Sequence, residues 1–131
     1  MKGESWQDLV PTFDSASFHL GVTSAFAEVV AAGVKKLALS HPYSQRQMEA
    51  VLEPTKIIAA EHGILMMVEN DLLVTPLFSA DIAKDKFVIL LAQNEAVLNE
   101  YKSLKLSDKS PNELAWAFGR LLSYESVFKN S

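Results

Sequence analysis

The chain has 131 residues, of which 49% are hydrophobic and 21% are charged, with a formal net charge of −4 and no cysteine. This composition is typical of a globular domain. It excludes disulfides, thiolate metal sites and a cysteine nucleophile, and it disfavours binding to nucleic acid or membrane, since both need a basic surface. We therefore predict a single soluble, cytoplasmic domain over residues 1–131, which binds neither nucleic acid nor membrane and for which no cofactor is predicted.

The first predicted elements are an arm or edge strand over residues 1–13 and a helix over residues 15–39. At about 100° per residue, six apolar side chains of this helix share one arc. A flank of small residues would let another helix approach closely. The helix could end near Gly33, since glycine costs about 1 kcal/mol relative to alanine in a helix. The arc contains Phe18, Val22, Phe26, Val29, Val30 and Leu37, and the small flank contains Gly21, Ala25 and Ala32.

A second helix is predicted between a capping box, Ser44 with Gln47, and Gly63, which suits the left-handed residue after a helix end. Pro54 lies inside this helix. Because proline lacks an N–H, we expect a kink or break within a turn of it, with the carbonyl of Ala50 left without its helical partner. The predicted apolar face contains Met48, Val51, Leu52, Thr55, Ile58 and Ala59.

Three strands are predicted next, over residues 64–68, 72–78 and 86–92. The first two form a hairpin around the turn sequence END. The first and third strands lack polar alternation, so we expect both of their faces to be covered. Pro76 cannot donate to a sheet, which places the second strand at an edge. This favours pairing of the third strand with the first, in the order 2-1-3.

The last predicted elements are a helix over residues 94–105, capped by Asn94, and a helix that begins at Pro111 after a capping box of Ser110 and Glu113. The element order is helix, helix, hairpin, strand, helix, helix. We predict an α+β or small α/β fold, in which helices pack on a short mixed sheet of three or four strands. A sheet this thin would gain from pairing with a second copy, so we also predict a homo-oligomer, most simply a homodimer.

Three polar residues, His19, His62 and Glu125, point toward the apolar arcs of three different helices. Two histidines and a carboxylate could hold a divalent metal, or act as a base and its orienting partner. We favour the alternative that each lies near a helix end and is satisfied separately. Met66 and Met67 could line an adaptable pocket, although a plain core position is the more common use of methionine in a strand.

Two further groups are candidates for binding. His41 and Tyr43 lie in a loop and could form a binding spot, although a plain exposed turn is the simpler interpretation. Trp116, Arg120 and Val127 lie on the side of the last helix opposite its core arc, and tryptophan and arginine are enriched at interface hot spots.

The sequence contains no phosphate-binding loop, dinucleotide turn or nucleophile elbow. Whether the protein is an enzyme is therefore left open. We prefer a non-enzymatic domain that binds a protein partner or associates with itself. The alternative is a small-molecule or metal-binding enzyme that uses His19, His62 and Glu125.

Overall fold

The computed structural model describes residues 15–75 and 84–122. Within these ranges the chain forms four helices and a three-stranded antiparallel sheet, which confirms the α+β class. The predicted arm over residues 1–13 and the predicted edge proline, Pro76, lie outside the described residues. The elements are α1 (Ser15–Ala31), β1 (Leu37–Leu39), α2 (Gln45–Glu61), β2 (Leu65–Glu69), β3 (Val88–Ala92), α3 (Glu95–Leu106) and α4 (Pro111–Leu121).

The sheet has the order β1-β3-β2, with β3 in the centre. Leu65 pairs with Ala92 and Glu69 pairs with Val88, so the predicted pairing between the first and third hydrophobic strands is confirmed. We predicted a mixed sheet, but both described pairings are antiparallel. Residues 72–74 form no strand, so the predicted hairpin partner is not seen in the described part of that segment.

The first helix does not continue to residue 39, because α1 ends at Ala31 and β1 follows, so the alternative of an end near Gly33 is confirmed. Gly33 has φ +81°, a conformation that favours glycine, and it reverses the chain direction. The N–H of Val34 donates to the carbonyl of Val29 at 3.1 Å, which closes the helix end. The three residues of β1 then turn alternate side chains toward the two faces of the sheet.

The buried side of α1 also differs from the predicted arc. Phe18 is 65% exposed and Val22 is 42% exposed, whereas Thr23 and Ala27, which are outside the arc, are buried; Val30 is buried as predicted. Ala27 and Val30 pack in the core with residues of α2 and of the sheet. The predicted small flank is exposed and contacts no helix through Gly21, which has no atom within 4 Å of an added Cβ.

Of the kink or break predicted at Pro54, the break does not occur, because α2 is continuous from Gln45 to Glu61. The predicted apolar face explains why one missing hydrogen bond does not divide the helix, since buried side chains lie on both sides of the proline. The capping box of Ser44 and Gln47 is confirmed, and Gly63 has φ +67° after the helix end. The buried side chains of α2 are Met48, Val51, Thr55 and Ala59.

The central strand β3 separates two hydrophobic cores, and all five of its residues are buried. Alternate side chains enter opposite cores, as the pleat of a strand requires. The prediction that both faces are covered is thus confirmed for β3. It is wrong for β2, where Leu65 is 40% and Val68 is 38% exposed. Val88, Leu90 and Ala92 pack with residues of α3 and α4, and Ile89 and Leu91 pack with residues of α1 and α2.

The starts of the last two helices are as predicted. Asn94 Oδ1 accepts a hydrogen bond from Val97 N at 3.1 Å, and Ser110 Oγ accepts one from Glu113 N at 3.3 Å. Met66 and Met67 are partly buried, one against each core, which agrees with the plain core interpretation. In the part of the chain that the structure describes, no helix is both long and apolar enough to cross a membrane.

Candidate functional site

The structure brings together three residues that the sequence assigned to two different candidate sites. His19 of α1 and His41 of the loop after β1 stack with ring centroids 4.8 Å apart and an interplanar angle of 29°. Tyr43 presents its ring edge-on to both imidazoles, with centroid distances of 5.5 Å to His19 and 5.4 Å to His41. We call these three residues the histidine cluster.

Tyr43 fixes the histidine cluster to the sheet. Its side chain is 1% exposed, and its backbone exchanges two hydrogen bonds of 2.7 Å with Phe87, next to β3. The side chain of Thr23, which lies on α1 one turn after His19, interacts with the Tyr43 hydroxyl. Burial raises the pKa of Tyr43 above its usual value and outweighs the interaction with Thr23, which acts to lower it, so the hydroxyl stays neutral and serves to position α1.

Ser40 turns His41 out of the sheet. The N–H of Ser40 donates to Ile89 O at 2.9 Å, but Ile89 N donates to the hydroxyl of Ser40 at 2.8 Å instead of a backbone carbonyl. The same hydroxyl donates to His41 O at 2.8 Å. The regular ladder therefore stops at Ser40, and the exposed His41 ring faces the His19 ring on α1.

A small cleft lies beside the histidine cluster. Its volume is about 20 Å³, which is enough for one water molecule, because a water needs roughly 10–15 Å³. Sites for small molecules are commonly about 300–1,000 Å³, so this cleft does not hold a substrate in the described conformation. The walls are formed by His19, Val22, Thr23, Phe26, Leu39, Ser40, His41, Tyr43, Ile89 and Leu91.

The electrostatic surroundings of His41 disfavour a further positive charge. Burial lowers the pKa of His41, and the nearby positive charges of His19 and Lys86 lower it further. The Nζ of Lys35, which follows α1, lies 5.9 Å from the centre of the Phe26 ring, and Phe26 lines the cleft. A cation bound between the two histidines would meet these same charges.

The proposed grouping of His19, His62 and Glu125 is not tested as a whole, because Glu125 lies outside the described residues. His62 follows α2, where its ring Nδ1 is 2.9 Å from the carbonyl oxygen of Ile58. His19 instead contacts His41 and Tyr43. Among residues 15–75 and 84–122, no three His, Asp or Glu side chains are placed so that they could hold a metal ion.

A second polar cluster, which the sequence analysis missed, ties the end of β2 to α3. The Glu69 side chain is 10% exposed. Its Oε2 accepts hydrogen bonds from the Tyr101 hydroxyl and from Lys105 Nζ, each at 2.9 Å. Its Oε1 accepts from Asp71 N at 3.0 Å, and the Tyr101 hydroxyl accepts from Leu73 N at 3.1 Å. We call this group the Glu69 network.

The geometry of the Glu69 network indicates a structural role. Burial by itself raises the pKa of Glu69, but hydrogen bonds from Lys105, Asp71 N–H and Tyr101 outweigh it, so the pKa lies below its usual value. Burial raises the pKa of Tyr101. At neutral pH, Glu69 is therefore an ionised carboxylate with its hydrogen bonds made, and Tyr101 is a neutral phenol. Tyr101 and Lys105 lie four residues apart on one side of α3, so both can reach one partner, but this spacing does not identify Glu69 as that partner.

The exposed side of α4 carries the other candidate binding residues. Trp116 is 57% exposed and lies outside the core as predicted, while Phe118 and Leu121 on the other side of the helix are 0% and 2% exposed. Arg120 is also exposed, and Val127 lies outside the described residues. At about 100° per residue, Glu113, Trp116 and Arg120 fall within about 60° of one another. We call these three residues the α4 face.

Comparisons with protein-family models, curated protein sequences and solved structures found no match to this chain. The candidate sites therefore rest on the geometry of the chain itself.

Proposed function

We propose that this protein is a non-enzymatic, self-associating domain, and that the α4 face is where two copies meet. The observation that carries the proposal is the exposure of Trp116, at 57%, on a helix whose other side carries the buried Phe118 and Leu121. Tryptophan is a common anchor of protein interfaces, because its large ring loses much water-exposed apolar surface on binding.

The charges of the α4 face favour a second copy as the partner. Glu113 lies in the first turn of α4 and Arg120 in the last turn. In an antiparallel pair of α4 helices related by a two-fold axis, each Glu113 would face Arg120 of the other copy. Trp116 lies between them, so both tryptophans would be near the axis. The same arrangement places the two helix dipoles antiparallel, which is favourable.

The alternative function, an enzyme that uses His19, His62 and Glu125, receives less support from the geometry. His19 is stacked on His41, and the cleft beside it, about 20 Å³ in volume, has room for water only. By contrast, the α4 face provides a large apolar side chain with flanking charges of both signs. We therefore place the function of this domain at that surface.

Replacing Trp116 with alanine tests the proposal. We expect sedimentation equilibrium at micromolar concentration to give twice the chain mass of 14.5 kDa for the wild type. The Trp116→Ala variant should dissociate at least about tenfold more readily, as expected for an interface anchor.

The matched control is Leu106→Ala, because Leu106 is 88% exposed on a different helix, α3. This control should keep the wild-type mass. A wild type that sediments as a monomer at all these concentrations would contradict the proposal, as would a Trp116→Ala variant with unchanged association.

A further inference from the structure

The two ends of α1 are attached to the rest of the molecule very differently. In its second half, Ala27 and Val30 are both 0% exposed. In its first half, Phe18 is 65% and Val22 is 42% exposed, so less apolar burial holds this part of the helix. Its described attachments include the packing of Leu20 on the core, the stack of His19 on His41 and the contact of Thr23 with Tyr43.

We propose that the stack of His19 on His41 is a proton-sensitive latch, which holds the first half of α1 on the sheet when the His41 imidazole is neutral and releases it when His41 is protonated. Histidine is the side chain whose charge ordinarily changes between about pH 5 and 8. A proton on His41 would place a positive charge 4.8 Å from the centre of the His19 ring and near the ammonium group of Lys86.

The groups around the latch determine whether low or high pH releases it. Lys86, from the segment before β3, acts on His41 as a positive charge, as does His19 from α1. Tyr43 faces both rings with a neutral phenol, and β3 contributes the apolar Ile89 and Leu91. Within the described residues, the charged groups that act on His41 are thus cationic, so a proton on His41 has no carboxylate to stabilise it.

The sign of the pH dependence follows from linkage. Burial and the adjacent positive charges lower the pKa of His41 below 6.5 in the closed form. Once α1 is released, His41 loses the burial and the neighbouring His19 charge and binds a proton more readily. Release therefore takes up protons, and it becomes more favourable as the pH falls through the window below 6.5.

Hydrogen exchange of the α1 amides tests the latch in the full chain. After correction for the intrinsic exchange rate, protection of the first half of α1 should fall by a factor of about three or more between about pH 7.5 and about pH 5.5. The second half, around Ala27 and Val30, serves as an internal reference and should change less. In His41→Gln, which cannot be protonated at this position, the fall should be absent.

The matched control is His62→Gln, because the His62 ring contacts the carbonyl of its own helix, and this variant should behave as the wild type does. If His41→Gln does not fold, Lys86→Gln tests the same point with both rings intact. Lys86 stays beside His41 when α1 is released, because Phe87 is hydrogen-bonded to Tyr43, so removing this charge should make protonation easier and move the release to higher pH. Equal wild-type protection at both pH values, or a fall that persists unchanged in His41→Gln and Lys86→Gln, would overturn the proposal.

Discussion

At the scale of single residues, Glu69 links two segments that are far apart in the sequence. Its carboxylate accepts hydrogen bonds from Tyr101 and Lys105 of α3 and from the backbone of Asp71. Because the side chain is 10% exposed, these bonds are made largely away from water and contribute more than a surface ion pair does. The end of β2 is therefore held on α3 by polar contacts as well as by the core.

We expect Glu69→Gln to lower the free energy of unfolding by about 1–2 kcal/mol at neutral pH, because a hydrogen-bonded charge is lost while the shape is kept. The lowered pKa of Glu69 means that its contribution is present above about pH 4.5 and is lost as the pH falls further. The difference between variant and wild type should thus shrink below about pH 4.5. Urea unfolding at several pH values measures it.

The matched control for this prediction is Glu53→Gln. Glu53 forms an ion pair with Lys56 at 3.1 Å, but the two side chains are 74% and 53% exposed. Exposed pairs of this kind contribute about 0–1 kcal/mol, so the control should be close to neutral at every pH. Equal effects of the two substitutions would show that the Glu69 network adds no stability.

Residues whose partners are close in the sequence could be predicted, and those with distant partners could not. The caps at Ser44, Asn94 and Ser110 depend on a backbone N–H three residues away, so a local pattern identifies them. Tyr101 reaches Glu69 across 32 residues, and no spacing rule indicates that contact. The stack of His19 on His41 depends in the same way on where the fold places a loop.

At the scale of elements, α2 shows that a proline inside a helix need not divide it. Pro54 has no N–H, so the carbonyl of Ala50 lacks the donor that normally lies four residues on. The helix nevertheless continues from Gln45 to Glu61. Burial of Val51 before the proline and of Thr55 directly after it outweighs the lost hydrogen bond.

We expect Pro54→Ala to raise the free energy of unfolding by about 1–3 kcal/mol, because alanine restores the missing bond and has a higher helix propensity. The matched control is Pro111→Ala. Pro111 is the first residue of α4, where no helical hydrogen bond is lost. This control should be neutral or slightly destabilising. Thermal unfolding compares the two variants, and destabilisation by Pro54→Ala would contradict the account of α2.

The sequence predicted which elements form more accurately than it predicted where they end or which face they bury. The apolar face of α2 follows a helical period and was identified correctly. On α1 the predicted arc contained the buried Val30 but not Thr23 or Ala27, because these small side chains carry little hydrophobic signal although the fold buries them. The strand β1, Leu37–Leu39, was missed because a stretch of three residues fits a helix or a strand equally well. In the structure, the positive φ of Gly33 separates this stretch from α1.

At the scale of the whole molecule, the sheet lies between α1 and α2 on one face and α3 and α4 on the other. This arrangement leaves the outer side of α4 as a surface of the molecule. The proposed pairing of two α4 helices makes a specific prediction about charge, since each Glu113 would meet Arg120 of the other copy. Reversing either charge places like charges opposite each other in both contacts of the dimer.

The most direct test of self-association through α4 is therefore to mix two variants, Glu113→Arg and Arg120→Glu, and to measure the mass by sedimentation equilibrium. Each variant alone should be mainly monomeric near 14.5 kDa, because its own dimer contains two repulsive pairs. The equimolar mixture should form a heterodimer of twice that mass, since both contacts then join opposite charges. If each variant has the same mass alone as in the mixture, α4 does not pair in this way.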